Sequence, residues 1–193
     1  MAGWGSIEPV LEVIEVFEEL EIPYHVGGSL ASSVHGVPRQ TNDLDLVVDL
    51  SPAAAAVLEL RLRDRFYIDG DMIRRAIRSR SSFNLVHLAT GFKIDVFVLG
   101  RGAFDRMEFR RHGAHRLEAL PRELVIKSAE DTVLRKLEWY RRGNEISDRQ
   151  WNDVLGVIRT QGELLDRDYL REWASELGVE DLLDRAFQVS VDR

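Results

Sequence analysis

Three aspartates lie inside apolar, strand-like runs of this sequence. Asp43 and Asp45 flank Leu44 and lead into Leu46-Val47-Val48, and Asp95 lies within Phe92-Lys93-Ile94-Asp95-Val96-Phe97-Val98. A strand repeats every two residues, so Asp43 and Asp45 share one face while Leu44, Leu46 and Val48 share the other. Like charges at that spacing repel unless a cation sits between them. An unpaired Asp95 in a largely buried run would cost several kcal/mol or take up a proton. Carboxylates are hard oxygen donors, and three of them on two apolar strands point to a divalent ion, Mg²⁺ by preference. Plainer readings stay open at this point. An Asp-x-Asp at a strand end also serves as a cap or a surface pair, and Asp95 alone could face water or an arginine.

A third feature lies upstream. Val26-Gly27-Gly28-Ser29 follows a short apolar run, and thirteen residues separate Ser29 from Asp43. Glycines after a strand let backbone N–H groups approach a phosphate, and a helix start just beyond adds a positive dipole end. Ser29 adds a hydroxyl donor. Alone, Gly-Gly-Ser is a turn; followed by Arg39-Gln40-Thr41-Asn42-Asp43-Leu44-Asp45, it becomes specific.

Gly-Gly-Ser, then Arg-x-Thr-x-Asp-Leu-Asp, then an Asp on a later strand: in this order the motifs resemble those of the DNA polymerase β-type nucleotidyltransferase superfamily. Within it, the chain is most similar to AbiE-type toxins and minimal nucleotidyltransferases. The signature spans residues 26–95, about a third of the chain. The resemblance implies a small mixed sheet whose carboxylates hold two Mg²⁺ ions, Asp43 and Asp45 on both and Asp95 on the one at the acceptor hydroxyl. It assigns Gly27, Gly28, Ser29, Arg39 and Thr41 to the nucleoside triphosphate, ATP included. In the helical half, Lys136 and Asp148 best match the helix lysine and aspartate that line the nucleotide side in such relatives, with Asp153 a second candidate for the aspartate. Lysine is scarce here, only Lys93, Lys127 and Lys136 against 23 arginines. A solvated helix lysine and a dipole-serving carboxylate are the plainer readings of Lys136 and Asp148.

The chemistry fits the residue types as well. Nucleotidyl transfer needs charge neutralised on the α-phosphate and the departing pyrophosphate, together with an activated acceptor oxygen; carboxylate-held metals supply both. The expected activity is therefore Mg²⁺-dependent transfer of a nucleoside monophosphate from an NTP to a hydroxyl of tRNA, protein or a small molecule. By resemblance, the chain is the enzyme of a toxin–antitoxin or phage-defence pair, with a cognate antitoxin or toxin protein as partner. The rival expectation is a catalytically silent nucleotide- or partner-binding module, such as an antitoxin subunit.

These residues need elements to position them. Ser6 can cap a helix to about Leu20 that Pro23 follows; Tyr24–Val26 and Asp43–Val48 read as strands around a short helix, Leu30 to about His35. Pro52–Arg61 and Asp71–Ile77 read as helices. Ser82–Leu88 and Phe92–Leu99 read as a hairpin turned at Ala89-Thr90-Gly91. After about Leu120-Pro121 the pattern becomes helical. Ser128 opens a helix to Arg142, Ser147 one to about Thr160, and Asp168–Leu177 and Asp181–Phe187 follow. The expected fold is α+β: a nucleotidyltransferase-like domain over residues 1–122, with a small mixed sheet and flanking helices, then a C-terminal helical domain over 123–193. Trp139, Tyr140, Trp151 and Trp173 fall at helical spacings that suit interhelical packing.

Composition bounds the rest. With 193 residues, 45% hydrophobic and five prolines, the chain is built to fold. The absence of cysteine excludes disulfides, thiolate metal sites and a cysteine nucleophile. The five histidines are scattered and suggest no zinc site. No apolar run is long enough for a membrane span, and the opening Met1-Ala2-Gly3-Trp4-Gly5 does not look like a leader, so a cytoplasmic protein is expected. A formal charge of −7 works against broad gripping of nucleic acid, although Arg74–Arg80 and Arg106–Arg116 are local basic clusters that could meet a tRNA 3′ end.

Overall fold

The computed structural model describes residues 7–41, 43–117 and 120–191. The Ser6 cap and Asn42 of the motif lie outside them. Packing groups the chain into two units, one of Met1–Gly27 with Gln40–Ile126, the other of Gly28–Arg39 with Lys127–Arg193.

The first unit is a mixed sheet with helices. Among the described residues its strands are β1 (Tyr24–Val26), β2 (Asp43–Val48), β3 (Phe66–Tyr67), β4 (Ser82–His87), β5 (Lys93–Val98), β6 (His112–Arg116) and β7 (Glu123–Lys127). Their order across the sheet is β3-β4-β5-β2-β1-β7-β6. β2 runs parallel to β5 and β1 parallel to β7, whereas β1–β2, β4–β5 and β3–β4 are antiparallel. β2, β4 and β5 alternate strictly between fully buried and less buried positions. The buried set, Leu44, Leu46, Val48, Leu85, Ile94, Val96 and Val98, joins Val13, Ile14 and Phe17 of α1 (Glu8–Glu19), Leu58 and Leu62 of α3 (Pro52–Leu62) and Ile73 and Ile77 of α4 (Gly70–Ser79) in the core. Each fully buried Leu, Ile or Phe contributes about 1.5–3 kcal/mol, so this layer fixes the register of the central strands.

Several elements have no counterpart in the sequence reading: β3, α5 (Ala103–Arg110), β6 and β7. The chain does not turn helical straight after Pro121. Leu124-Val125-Ile126 first adds a strand beside β1, with Val26 opposite Ile126 and both Leu124 and Ile126 buried.

The second unit is helical. It contains α2 (Gly28–His35), α6 (Ala129–Arg142), α7 (Asp148–Gln161), a 3₁₀ turn at Gly162–Leu164, α8 (Arg167–Leu177) and α9 (Glu180–Val191). Ser128 and Ser147 cap α6 and α7, accepting hydrogen bonds from Asp131 N at 3.1 Å and Gln150 N at 3.3 Å. Leu30 of α2, Val133 and Leu137 of α6, Val154 and Val157 of α7, Leu170 of α8 and Leu183 of α9 are core residues of this unit. α2 meets α7 so closely that a β-carbon at Gly36 would lie 2.7 Å from Val157 N and 2.8 Å from Gly156 C. Two polar clamps fix the end of α2: His35 Nε2 donates to the Lys127 carbonyl, and Gln161 Nε2 donates to the His35 carbonyl, each at 2.7 Å. Tyr140 and Trp151 pack with ring centroids 5.4 Å apart, and the Arg185 guanidinium lies 4.2 Å from the Trp151 centroid. No described helix is long and apolar enough to cross a membrane.

Candidate active site

In the first unit, the register of β2 and β5 sets the carboxylates on one face of the sheet. Asp45 stands directly opposite Asp95, and Asp43 opposite Lys93. Partners in register share a face, so Asp43, Asp45, Asp95 and Lys93 all project from the side away from the buried leucines and valines. Asn84 of β4, opposite Asp95, belongs to the same face. Further along this face lie Val47, Phe97 and His25. His25 is fully buried, with its ring 5.3 Å from that of Phe109 on α5.

Asp43 and Asp95 each accept a hydrogen bond from a neighbouring side chain. Thr41 Oγ1 donates to Asp43 Oδ1 at 2.7 Å and lies 3.0 Å from the Asp43 carbonyl oxygen, so Thr41 orients the first carboxylate. Lys93 Nζ donates to Asp95 Oδ2 at 2.9 Å. The hydrogen bond to Asp95 raises the Lys93 pKa, burial opposes it, and the fields of Asp95, Asp43 and Asp45 add to the rise. One ammonium therefore feels all three carboxylates. Gly27 N donates to the Asp45 carbonyl at 2.9 Å, which ties the end of β1 to the Asp-x-Asp strand. Among the described residues, no three or more His, Asp or Glu side chains are drawn together in the manner of a metal site. The donor chemistry nevertheless fits a hard divalent cation: oxygen ligands on one face of rigid neighbouring strands, one of them already meeting a cationic group.

The second unit holds a separate charged group. Gly28 opens α2 with φ +53°, a left-handed conformation that glycine adopts without the steric cost of a β-carbon. Ser29 follows in the first turn, and Arg39 Nη2 donates to its Oγ at 2.6 Å. The same guanidinium forks onto Asp153 of α7, Nε to Oδ1 at 2.9 Å and Nη2 to Oδ2 at 3.0 Å. Lys136 Nζ of α6 donates to Asp153 Oδ2 at 2.7 Å. Lys136 and Asp153 expose only 9% and 7% of their side chains. Burial pushes the Asp153 carboxyl up, but the hydrogen bonds from Arg39 and Lys136 more than offset it and hold the group below the usual carboxylate range. Burial also pulls the Lys136 ammonium down; Asp153 opposes that shift, while Arg39 and Lys127 reinforce it. Two cationic side chains around one carboxylate, beside a helix N-terminus with a serine hydroxyl, make an arrangement suited to anions.

The structure thus brings Ser29, Arg39 and Lys136 together through Asp153. Asp148 stands apart, exposed in the first turn of α7. The two aspartates differ in what lies one turn on: Asp153 precedes fully buried Val157 by four residues, Asp148 precedes exposed Asn152. That helical spacing is a sequence signal favouring Asp153. Lys93 also had a signal, since it lies two residues before Asp95 in a strand and so must share its face.

No protein-family model matches the chain, and no curated protein matches it. Solved structures do. The lincosamide antibiotic adenylyltransferase LnuA with lincomycin bound aligns with a TM-score of 0.52 over 80% of this chain and 98% of its own, at 12% identity. ANT(2")-Ia in complex with adenylyl-2"-tobramycin gives 0.55 over 89% and 95%, at 11% identity. An antigenic nucleotidyltransferase-like protein from Paracoccidioides brasiliensis gives 0.55 over 97% and 95%, at 16% identity. The chain has the nucleotidyltransferase fold. At such low identity the likeness is one of architecture, and the α+β expectation with a mixed sheet and flanking helices agrees with it. Within the nucleotidyltransferase fold, the strands bearing Asp43, Asp45 and Asp95 are the central pair of this chain's sheet.

Proposed function

We propose that this protein is a divalent-metal-dependent nucleotidyltransferase that moves a nucleoside monophosphate from an NTP to a hydroxyl group of a small acceptor. The observation that carries the reading is the register of β2 and β5, which sets Asp45 beside Asp95 and Asp43 beside Lys93 on one face of a nucleotidyltransferase-fold sheet. In the reaction, the acceptor oxygen forms a bond to the α-phosphorus, the bond from that phosphorus to the bridging oxygen breaks, and pyrophosphate leaves. Asp43, Asp45 and Asp95 would hold Mg²⁺, two ions by the family resemblance; when bound, these supply charge neutralisation at the phosphates and a more acidic acceptor hydroxyl. Asp95 takes the acceptor proton on its carboxylate. Thr41 keeps the Asp43 carboxylate turned through its 2.7 Å hydrogen bond. Gly27 and Gly28 belong to the turn that receives the nucleotide. By the family resemblance, Ser29, Arg39 and Lys136 of the second unit take part in nucleotide binding, their donors being suited to phosphate oxygens, with Asp153 holding the two cations in place; Asp148 is the weaker candidate for that role.

A small acceptor is favoured over tRNA or protein for two reasons. Solved proteins of this fold include antibiotic adenylyltransferases, and a net charge of −7 repels a polyanion. Kinship with AbiE-type toxins, with an antitoxin as partner, is the further reading that the motif order supports, and co-purification from the native host tests it.

The activity is tested by incubating the purified chain with each NTP, Mg²⁺ and a panel of aminoglycosides, lincosamides, total tRNA and protein extract. Expected is pyrophosphate release with an acceptor gaining the mass of one nucleotidyl group, both reduced by at least about 10²-fold in Asp43→Ala and Asp45→Ala. A silent nucleotide-binding module is the second reading, favoured by Asp95 already having a counter-charge in Lys93. It would show NTP binding without turnover. No rise in Tm with NTP and Mg²⁺ would overturn both.

A further inference from the structure

The carboxylate face of the first unit carries a cation of its own. Lys93 opens β5 opposite Asp43, and its ammonium is 2.9 Å from Asp95 Oδ2. Its side chain is 45% exposed while that of Asp95 is 18% exposed, so the charge is anchored at one end and open to water at the other. The residue type matters. In a chain with 23 arginines and three lysines, this position has a lysine. An arginine would fork onto a carboxylate in a rigid bidentate pair, whereas an ammonium on a flexible stem makes one contact and is readily displaced.

We infer that Lys93 is a built-in counter-ion that occupies Asp95 and competes with the divalent cation for it, so that metal loads weakly onto the bare protein and tightly only together with nucleotide. The inference rests on the metal-dependent reading above. A metal-nucleotide complex brings its own phosphate oxygens, which give the ion ligands and the displaced ammonium an anionic neighbour. A bare ion brings neither and must compete with a like charge a few ångströms away. Lys93 is thus a positioning residue: it holds the third carboxylate in place until the metal-nucleotide complex arrives.

The test is Mn²⁺ affinity measured by electron paramagnetic resonance on the full chain, with and without a non-hydrolysable NTP analogue. Lys93→Met is expected to bind Mn²⁺ in the absence of nucleotide roughly tenfold more tightly than the wild type, the size of effect from one neighbouring charge in a mostly aqueous setting. The gain in affinity on adding the analogue should shrink by the same factor, and Lys93→Arg should restore weak binding of the bare ion. Lys93→Gln, closer in polarity, provides the same readout should the methionine variant fail to fold. Equal Mn²⁺ affinity in wild type and both neutral variants, with binding lost in Asp45→Asn, would overturn the counter-ion role and leave the enzyme reading standing. Saturable Mn²⁺ binding by no variant, with or without the analogue, would overturn both.

Discussion

Asp153 shows how much one side chain can organise. Its two carboxylate oxygens take three hydrogen bonds from Arg39 and Lys136, and its side chain is 7% exposed. Asp153→Asn leaves the Lys136 ammonium buried against a neutral amide. It should lower stability by about 3 kcal/mol, read as a fall in the urea midpoint at neutral pH. The pH dependence follows from sign. The folded Asp153 pKa lies below the unfolded one, so the carboxylate stabilises the fold fully above the unfolded value near ~4 and loses that contribution as pH falls through the lower folded value. The stability gap between wild type and Asp153→Asn should therefore be flat from pH 6 to 5, roughly, and close in stronger acid; a gap unchanged down to the acid limit would show that the pairing does not depend on the charge. The carboxylates of the first unit could be read from sequence because a period-two strand leaves few choices. The partners of Asp153 could not, because Arg39 and Lys136 reach it from segments 114 and 17 residues away.

At the scale of elements, legibility followed the apolar pattern. β2, β4 and β5 alternate cleanly and were visible as strands; α6 and α7 carry Ser caps and an apolar stripe and were visible as helices. β6, His112-Gly113-Ala114-His115-Arg116, has almost no apolar side chain to mark it, and β3 is two residues long. β7 is a short apolar run whose identity is decided by β1, a partner about a hundred residues earlier in the chain. α5 buries Phe104 and Glu108, a pairing of residue types that gives a weak stripe. Packing of helix on helix also depends on features a pattern does not announce. Gly36 reads as a helix stop, yet its lack of a β-carbon is what lets α2 reach the α7 backbone. The obstructing atoms are backbone and cannot rotate away, so Gly36→Ala should cost about 1–3 kcal/mol and lower the thermal midpoint. A midpoint equal to that of the wild type would mean that α2 shifts at no cost.

For the whole molecule, the route of the chain matters more than its composition. The change from strands to helices suggests a division near residue 122, yet α2 packs with α6 and α7 in the helical unit. A fragment of residues 123–193 would retain the caps of α6 and α7 but lack Leu30, Ala31 and the His35 clamps that complete their packing. We expect that fragment alone to give a weak helical circular dichroism signal and no cooperative melt, and to gain both when a peptide of residues 28–39 is added. A cooperative melt of the fragment by itself would show that α2 is dispensable to the unit.

The same route sets an order of events during synthesis. β1 and β2 leave the ribosome early and can pair as soon as Val48 has emerged, but the helix made between them meets the other helices of its own unit only after the ribosome has passed Lys127 and gone on to complete α7. Throughout that interval the apolar side of α2, Leu30 and Ala31, waits uncovered by its final neighbours. A nascent chain stalled before α6 should therefore be caught by ribosome-associated chaperones at this short stretch, and release of the completed chain should end that dependence.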